Sequence, residues 1–144
     1  MYLKKVSALS MLLASCYANA GVVDTIEAPT GFFLPVPAVF NSTYLRGSNQ
    51  DWEWKHNAIS GAYTTAELFI SAYDVDQAQG EVDNIYAWDL QGNAGAGAWS
   101  LLGALNGLDN DYGYTTFNLS SPTWLDEINV GIMLKIDIDA TNAG

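Results

Sequence analysis

Hydrophobic and polar residues alternate along several short stretches of the chain, which is the pattern of half-buried β-strands. The clearest stretch is residues 65–75, where Leu68 and Ile70 fall on one face and Phe69 and Ser71 on the other. Nowhere do apolar residues recur at helical spacing for three turns. The pattern therefore predicts an all-β chain folded as an antiparallel β-sandwich of jelly-roll type. Further strands are predicted at residues 82–90, 99–105, 114–119 and 128–138.

Turn residues separate these strands. Residues 92–97 (GNAGAG) predict a flexible hairpin tip, and residues 106–113 (NGLDNDYG) predict a turn-rich loop. Three prolines in or beside residues 30–40 predict an edge or lead-in segment there, because proline does not fit a central strand. Residues 121–127 predict one helical turn before the last strand. The predicted core consists of Leu68, Ile70, Val82, Ile85, Leu102, Phe117, Ile132, Leu134 and Ile136.

The first 20 residues have the form of a secretory signal peptide. A basic start is followed by an apolar run at residues 6–14, which is too short to span a bilayer. Cleavage after Ala20 leaves a single domain of residues 21–144 and removes Cys16, the only cysteine. The alternative is lipoprotein processing, in which Cys16 becomes a lipid anchor. The sequence therefore predicts a secreted or cell-surface bacterial protein with no transmembrane segment after the leader.

Charge narrows the classes of partner. The 144 residues carry a formal net charge of −11, and removal of Lys4 and Lys5 with the leader leaves three basic residues against 16 acidic ones, or −13. Such a field repels phosphate backbones, so nucleic-acid binding is excluded and cations are favoured as partners. A cysteine-free mature chain also has no disulfide framework and no zinc-thiolate site.

Four acidic residues crowd around a chain reversal at Gly80. Carboxylate oxygens gathered at a loop suit Ca²⁺, which takes six to eight oxygen ligands. Calcium is therefore the cofactor that the sequence predicts, and the alternative is that these acids are solvated turn residues. A second Asp-x-Asp pair, Asp137 and Asp139, falls on the face opposite the apolar residues of its strand and so need not share the ion. The predicted metal ligands are Asp74, Asp76, Glu81 and Asp83.

Aromatic residues offer a second kind of site. Flat rings beside carboxylates and amides suit sugar rings, and the alternative is that they pack in the core or at its rim. The candidate ligand-binding residues are Trp52, Trp54, Trp88 and Tyr112.

Catalytic signals are sparse. His56 is the only histidine, and no nucleophile motif accompanies it. A pair of carboxylates such as Glu53 and Glu81 could serve a glycosidase, but 16 acids make any such pair easy to find. We therefore expect a protein that is not an enzyme.

Seven stretches are distributed over nearly the whole mature chain: residues 21–33, 51–59, 70–76, 80–86, 101–108, 115–119 and 135–139. These stretches resemble secreted bacterial proteins of the PEP-CTERM-associated kind. The resemblance implies export, a β-sandwich and a structural or binding role, and it carries over no catalytic residues.

Proteins of this kind often continue into a further strand and a sorting tail, which this sequence does not contain. Two expectations follow: natural release without that anchor, or a truncated record. A missing closing strand would leave an open sheet edge for self-association.

Two functions therefore stay open. The first is a non-enzymatic extracellular module with a structural or binding role in the cell envelope or secreted matrix, contacting protein or polysaccharide. The alternative is a carbohydrate-binding or carbohydrate-active protein with a tryptophan platform.

Overall fold

Antiparallel strands are the main secondary structure of the residues that the computed structural model describes, which are 21–25 and 50–140. These strands are β1 (Trp52–Lys55), β2 (Glu67–Tyr73), β3 (Asn84–Asp89), β4 (Ala98–Ala104), β5 (Tyr112–Asn118) and β6 (Met133–Asp137). One sheet has the order β1-β6-β3-β4, and a second consists of β2 and β5. The predicted all-β, antiparallel, sandwich-like fold is confirmed. A jelly roll has eight strands, so that finer assignment stays a prediction for the described residues.

Four of the predicted strands coincide with β2, β3, β4 and β5 to within a few residues. The predicted hairpin tip connects the paired strands β3 and β4 and includes one helical turn, α1 (Gly92–Gly95). The predicted turn-rich loop connects β4 to β5, which lie in different sheets. We call residues 105–111 the β4–β5 loop.

The prediction of a long last strand over residues 128–138 is wrong in its first part. Residues up to Val130 belong to a nine-residue helix, α2 (Pro122–Val130), and only Met133–Asp137 forms β6. Ile128, on the helix, and Ile132 are both buried and have the same parity as the inward residues of β6. A helix residue therefore continued the period-2 pattern by coincidence.

The ends of α2 follow local chemistry. Pro122 opens the helix, where its missing N–H costs no hydrogen bond. Gly131 ends it with φ of 92°, and a Cβ at this position would lie 2.7 Å from the His56 carbonyl oxygen. Only glycine combines that backbone angle with so close an approach.

The core lies between the two sheets. Six of the nine predicted core residues are buried, and Ile70, Val82 and Leu102 are half-buried. The Phe117 ring of β5 reaches β4, since a Cβ at Gly103 would lie 3.2 Å from it. The buried apolar residues are Leu68, Val75, Ile85, Ala87, Leu105, Phe117, Leu119, Ile128, Ile132, Leu134, Ile136 and Ile138.

Several sequence predictions lie outside the described residues, namely the leader, Cys16 and the proline-containing segment of residues 30–40. The side chain of Trp52 also lies outside the description. In the part that is described, no helix is long and apolar enough to cross a membrane.

The core predicts a sharp contrast between two leucines. Leu134 is 0% exposed, so Leu134→Ala should lower the free energy of unfolding by about 2–5 kcal/mol through lost burial and a residual cavity. Leu101 is 56% exposed, so Leu101→Ala should change it by less than about 0.5 kcal/mol. Urea denaturation measures both, and equal losses would contradict this core.

Candidate functional site

Asp74 holds the β4–β5 loop against the end of β2. It has a left-handed backbone with φ of 60°, and its N–H donates to the Asp111 carbonyl at 3.0 Å. Its carboxylate Oδ1 accepts from the Asn110 N–H at 2.7 Å. One aspartate therefore fixes two consecutive positions of a distant loop.

The next residue tightens this contact. Val75 is buried, and a Cβ at Gly107 would lie 2.1 Å from the Val75 carbonyl oxygen. The loop backbone can approach β2 this closely only because position 107 has no side chain. The two loops therefore pack backbone to backbone.

The chain reverses directly after Val75 in a 3₁₀ turn, Gln77–Gln79. Gly80 ends this turn with φ of 103°, and the Asp76 carbonyl accepts from the N–H groups of Gln79 and Glu81. The Glu81 carboxylate accepts from the Asp76 N–H at 2.6 Å, which closes the reversal. Glu81 therefore reaches the predicted site by supporting its backbone.

Three carboxylates meet where these loops touch. One oxygen from each of Asp74, Asp76 and Asp109 lies within 4.8 Å of the others. Asp74 and Asp76 are half-buried and Asp109 is exposed. Such a group could hold a hard cation through oxygen ligands. We call these three residues the acidic triad.

The acidic triad is electrostatically costly without a cation. Loss of hydration raises the pKa of Asp76, and the charges of Asp74 and Asp109 raise it further. Its Oδ1 is shielded from solvent and has no hydrogen-bond partner among the described residues. Asp109 is steadied by its neighbour, because the Asn110 side-chain amide donates to its carboxylate.

A second acidic group lies next to the triad. The Asp83 carboxylate is buried and accepts from the Asp139 N–H at 2.9 Å. Burial raises the pKa of Asp83, and a hydrogen bond from the Asp139 backbone opposes that shift. Burial also raises the pKa of Glu81, whose carboxylate hydrogen-bonds to that of Asp83. Glu81 thus links the two acidic groups.

The predicted metal ligands are therefore distributed over both groups. Asp74 and Asp76 lie together, Glu81 accepts from the Asp76 backbone N–H, and Asp83 accepts from that of Asp139. Sequence reasoning missed Asp109 because it lies 33 residues along the chain from Asp76, in a stretch whose residues predicted turns. The available signal was its density of aspartate and asparagine.

The candidate aromatic residues occupy three separate places. Trp54 packs against the core from the end of β1. Trp88 meets Trp99 edge to face, with ring centroids 5.3 Å apart. Tyr112 meets Tyr73 in the same manner at 5.1 Å.

His56, directly after β1, connects that strand to the segment of residues 21–25. Its Nδ1 lies 2.9 Å from the Asp24 carboxylate, and its Nε2 accepts from the Trp54 indole N–H at 3.4 Å. Asp24 also accepts from the backbone and side-chain N–H groups of Asn57, and these bonds lower its pKa, with His56 adding to the effect. Each ring nitrogen of His56 therefore has a side-chain hydrogen-bond partner.

Comparisons of the chain with protein-family models, curated proteins and solved structures give no match.

The raised pKa values predict an unusual pH dependence in EDTA. In the folded chain Glu81 and Asp83 hold their protons to higher pH than in the unfolded chain. Their contribution to stability should therefore be complete below their unfolded pKa values of about 4 and fall as the pH rises through the folded values. The pKa of Asp24 is lowered, so its contribution acts in the opposite sense and is lost as the pH falls.

Urea midpoints between acidic and neutral pH isolate this effect when wild type is compared with Glu81→Gln combined with Asp83→Asn. These substitutions keep hydrogen-bond acceptors and remove the charges. We expect the variant to gain stability over wild type as the pH rises, and Glu53→Gln, on the exposed side of β1, to show no such gain. A pH-independent difference would contradict the assignment.

Proposed function

We propose that this protein is a non-enzymatic extracellular module whose acidic triad binds Ca²⁺ and whose role is structural or binding. The observation that carries the proposal is the convergence of Asp74, Asp76 and Asp109 to within 4.8 Å on two different loops. Ca²⁺ is the cation that this oxygen-only group suits best, because it accepts carboxylates, carbonyls and water in a flexible shell.

The electrostatics support a cation at this place. Three carboxylates within such a distance repel one another, and the repulsion acts between the loop after β2 and the β4–β5 loop. A dication replaces that repulsion with attraction to each carboxylate. Its binding would therefore hold two loops together that are otherwise joined through the hydrogen bonds of Asp74 and the contact between Val75 and Gly107.

The arrangement of the described residues favours a role without catalysis. His56 is engaged by Asp24 and Trp54, and Glu81 supports the backbone of Asp76. These groups stabilise loops, and such roles are the ones expected of a structural or binding module.

Export is supported by the leader pattern and by the resemblance to PEP-CTERM-associated secreted proteins. Cysteine is confined to the leader, which suits a chain that reaches an oxidising compartment without a disulfide framework. We place the protein outside the bacterial cell or on its surface, where calcium is plentiful enough for a weak site. Polysaccharide and envelope protein are the partner classes that suit this location, and pairing between copies at an open sheet edge is the third.

The processing site is testable by expressing the full chain in a bacterial host and sequencing the mature N-terminus. We expect it to begin at Gly21, because residues 18–20 have the small-x-small form read by signal peptidase. Cys16→Ser should leave the mature mass unchanged. A mature chain that begins at Cys16 with the added mass of a lipid would establish the lipoprotein alternative.

The calcium site is testable by thermal unfolding in millimolar CaCl₂ and in EDTA. Extracellular sites have dissociation constants of about 0.1–1 mM. At ten times that constant, binding adds about 1.4 kcal/mol of stability, which raises the Tm of a domain of this size by a few degrees. We expect this shift to disappear in Asp76→Asn and in Asp109→Asn.

The matched controls lie outside and beside the triad. Glu53→Gln removes an exposed carboxylate of β1 and should retain the full shift. If Asp109→Asn retains the shift while Asp83→Asn loses it, the ion is bound by the second acidic group. An unchanged wild-type Tm would leave the acids as solvated turn residues.

A further inference from the structure

A pocket opens beside the acidic triad, where the β4–β5 loop enters β5. It has a volume of about 290 Å³. That size lies at the lower end of small-molecule pockets, which run from roughly 300 to 1,000 Å³. The pocket is lined by Asn106, Gly107, Leu108, Tyr112, Gly113 and Tyr114.

The backbone fixes the shape of this pocket. Gly107 packs on Val75, and a Cβ at Gly113 would lie 2.2 Å from the Asn106 carbonyl oxygen. The Asn106 N–H donates to the Thr115 hydroxyl at 2.7 Å, which ties the first lining residue to β5. The pocket is therefore formed before any ligand arrives, which reduces the entropic cost of binding.

Its walls combine exposed apolar surface with amide groups. Leu108 is 53% exposed and Tyr114 is 74% exposed, so both side chains face solvent. Phe69, 69% exposed, lies diagonally across from Tyr114 on the same outer face of the β2–β5 sheet and extends the apolar surface. The exposed Asn106 side-chain amide donates to the Tyr114 carbonyl at 3.5 Å, and its Oδ1 and second N–H can face a ligand beside this surface. A flat ligand with one apolar face and polar edges matches this lining.

The negative charges around the pocket disfavour anionic ligands. The surroundings include Asp74, Asp109 and Asp111, whose negative charges add to burial in raising the pKa of Tyr73, the ring partner of Tyr112. An anionic ligand would enter this field against repulsion. The two described lysines, Lys55 and Lys135, both lie in the other sheet, where the Lys135 ammonium group is over the rings of Tyr86 and Trp99, so neither is placed to offset this field.

We propose that this pocket binds one ring of a neutral hexose polysaccharide. The C–H face of the sugar would stack on Tyr114 and Leu108, and its hydroxyl groups would hydrogen-bond to Asn106. This proposal rests on the proposed function and names the ligand of that module. Because Asp74 and Asp109 belong to the triad and border the same loop, Ca²⁺ binding and sugar binding strengthen each other by an equal factor.

The test is isothermal titration of the full mature chain with cellohexaose, mannohexaose and a neutral galactan fragment, in CaCl₂ and in EDTA. An oligogalacturonate of similar length is the anionic comparator. We expect at least one neutral oligosaccharide to bind, and Tyr114→Ala to weaken binding by about three- to tenfold through lost stacking. Leu101→Ala, which removes an exposed apolar side chain from the other sheet, should bind as wild type does.

Three outcomes would overturn the proposal: no binding of any neutral oligosaccharide, tighter binding of the oligogalacturonate, or undiminished binding by Tyr114→Ala. The Ca²⁺ arm separates this inference from the proposed function. A calcium-dependent rise in Tm without sugar binding overturns the pocket alone. Sugar binding that is equal in both buffers, with an unchanged Tm, supports the pocket and overturns the ion site.

Discussion

The functional surface depends on the two hydrogen bonds between Asp74 and the β4–β5 loop. They join the end of β2 to a loop more than 30 residues away, one through the backbone and one through the side chain of Asp74. The acidic triad forms because these hydrogen bonds hold the loop where Asp109 lies close to Asp76. The pocket forms because the same loop turns back into β5 immediately afterwards. Both candidate sites are therefore consequences of one loop placement.

Acidic residues in this protein divide by what surrounds them. Asp24 accepts three hydrogen bonds, and its pKa is lowered. Asp76, Glu81 and Asp83 lie among other carboxylates with partial loss of water, and their pKa values are raised. The first environment stabilises a negative charge without an ion, whereas the second gains from a cation. Part of the negative charge of the chain therefore lies where a cation can neutralise it.

The strands and most of the core could be predicted because period-2 alternation reports burial directly, as at Leu68, Leu134 and Ile136. The boundary between α2 and β6 could not, since Ile128 and Ile132 suit the inward face of either element. Local crowding of acids identified Asp74 and Asp76. Asp109 could not be predicted, because its proximity to Asp74 and Asp76 arises from the packing of two loops in three dimensions. Spacing along the chain does not show that packing.

The two glycines of the β4–β5 region also bear on how this surface could change over time. Positions 107 and 113 admit no side chain, because a β-carbon at either would overlap backbone atoms. Leu108 and Tyr114 stand between and beside them and face solvent. The backbone is thus a fixed frame, and the exposed positions on it are free to vary. Descendants of this protein could acquire a different ligand preference by substitution at those positions while keeping the same fold.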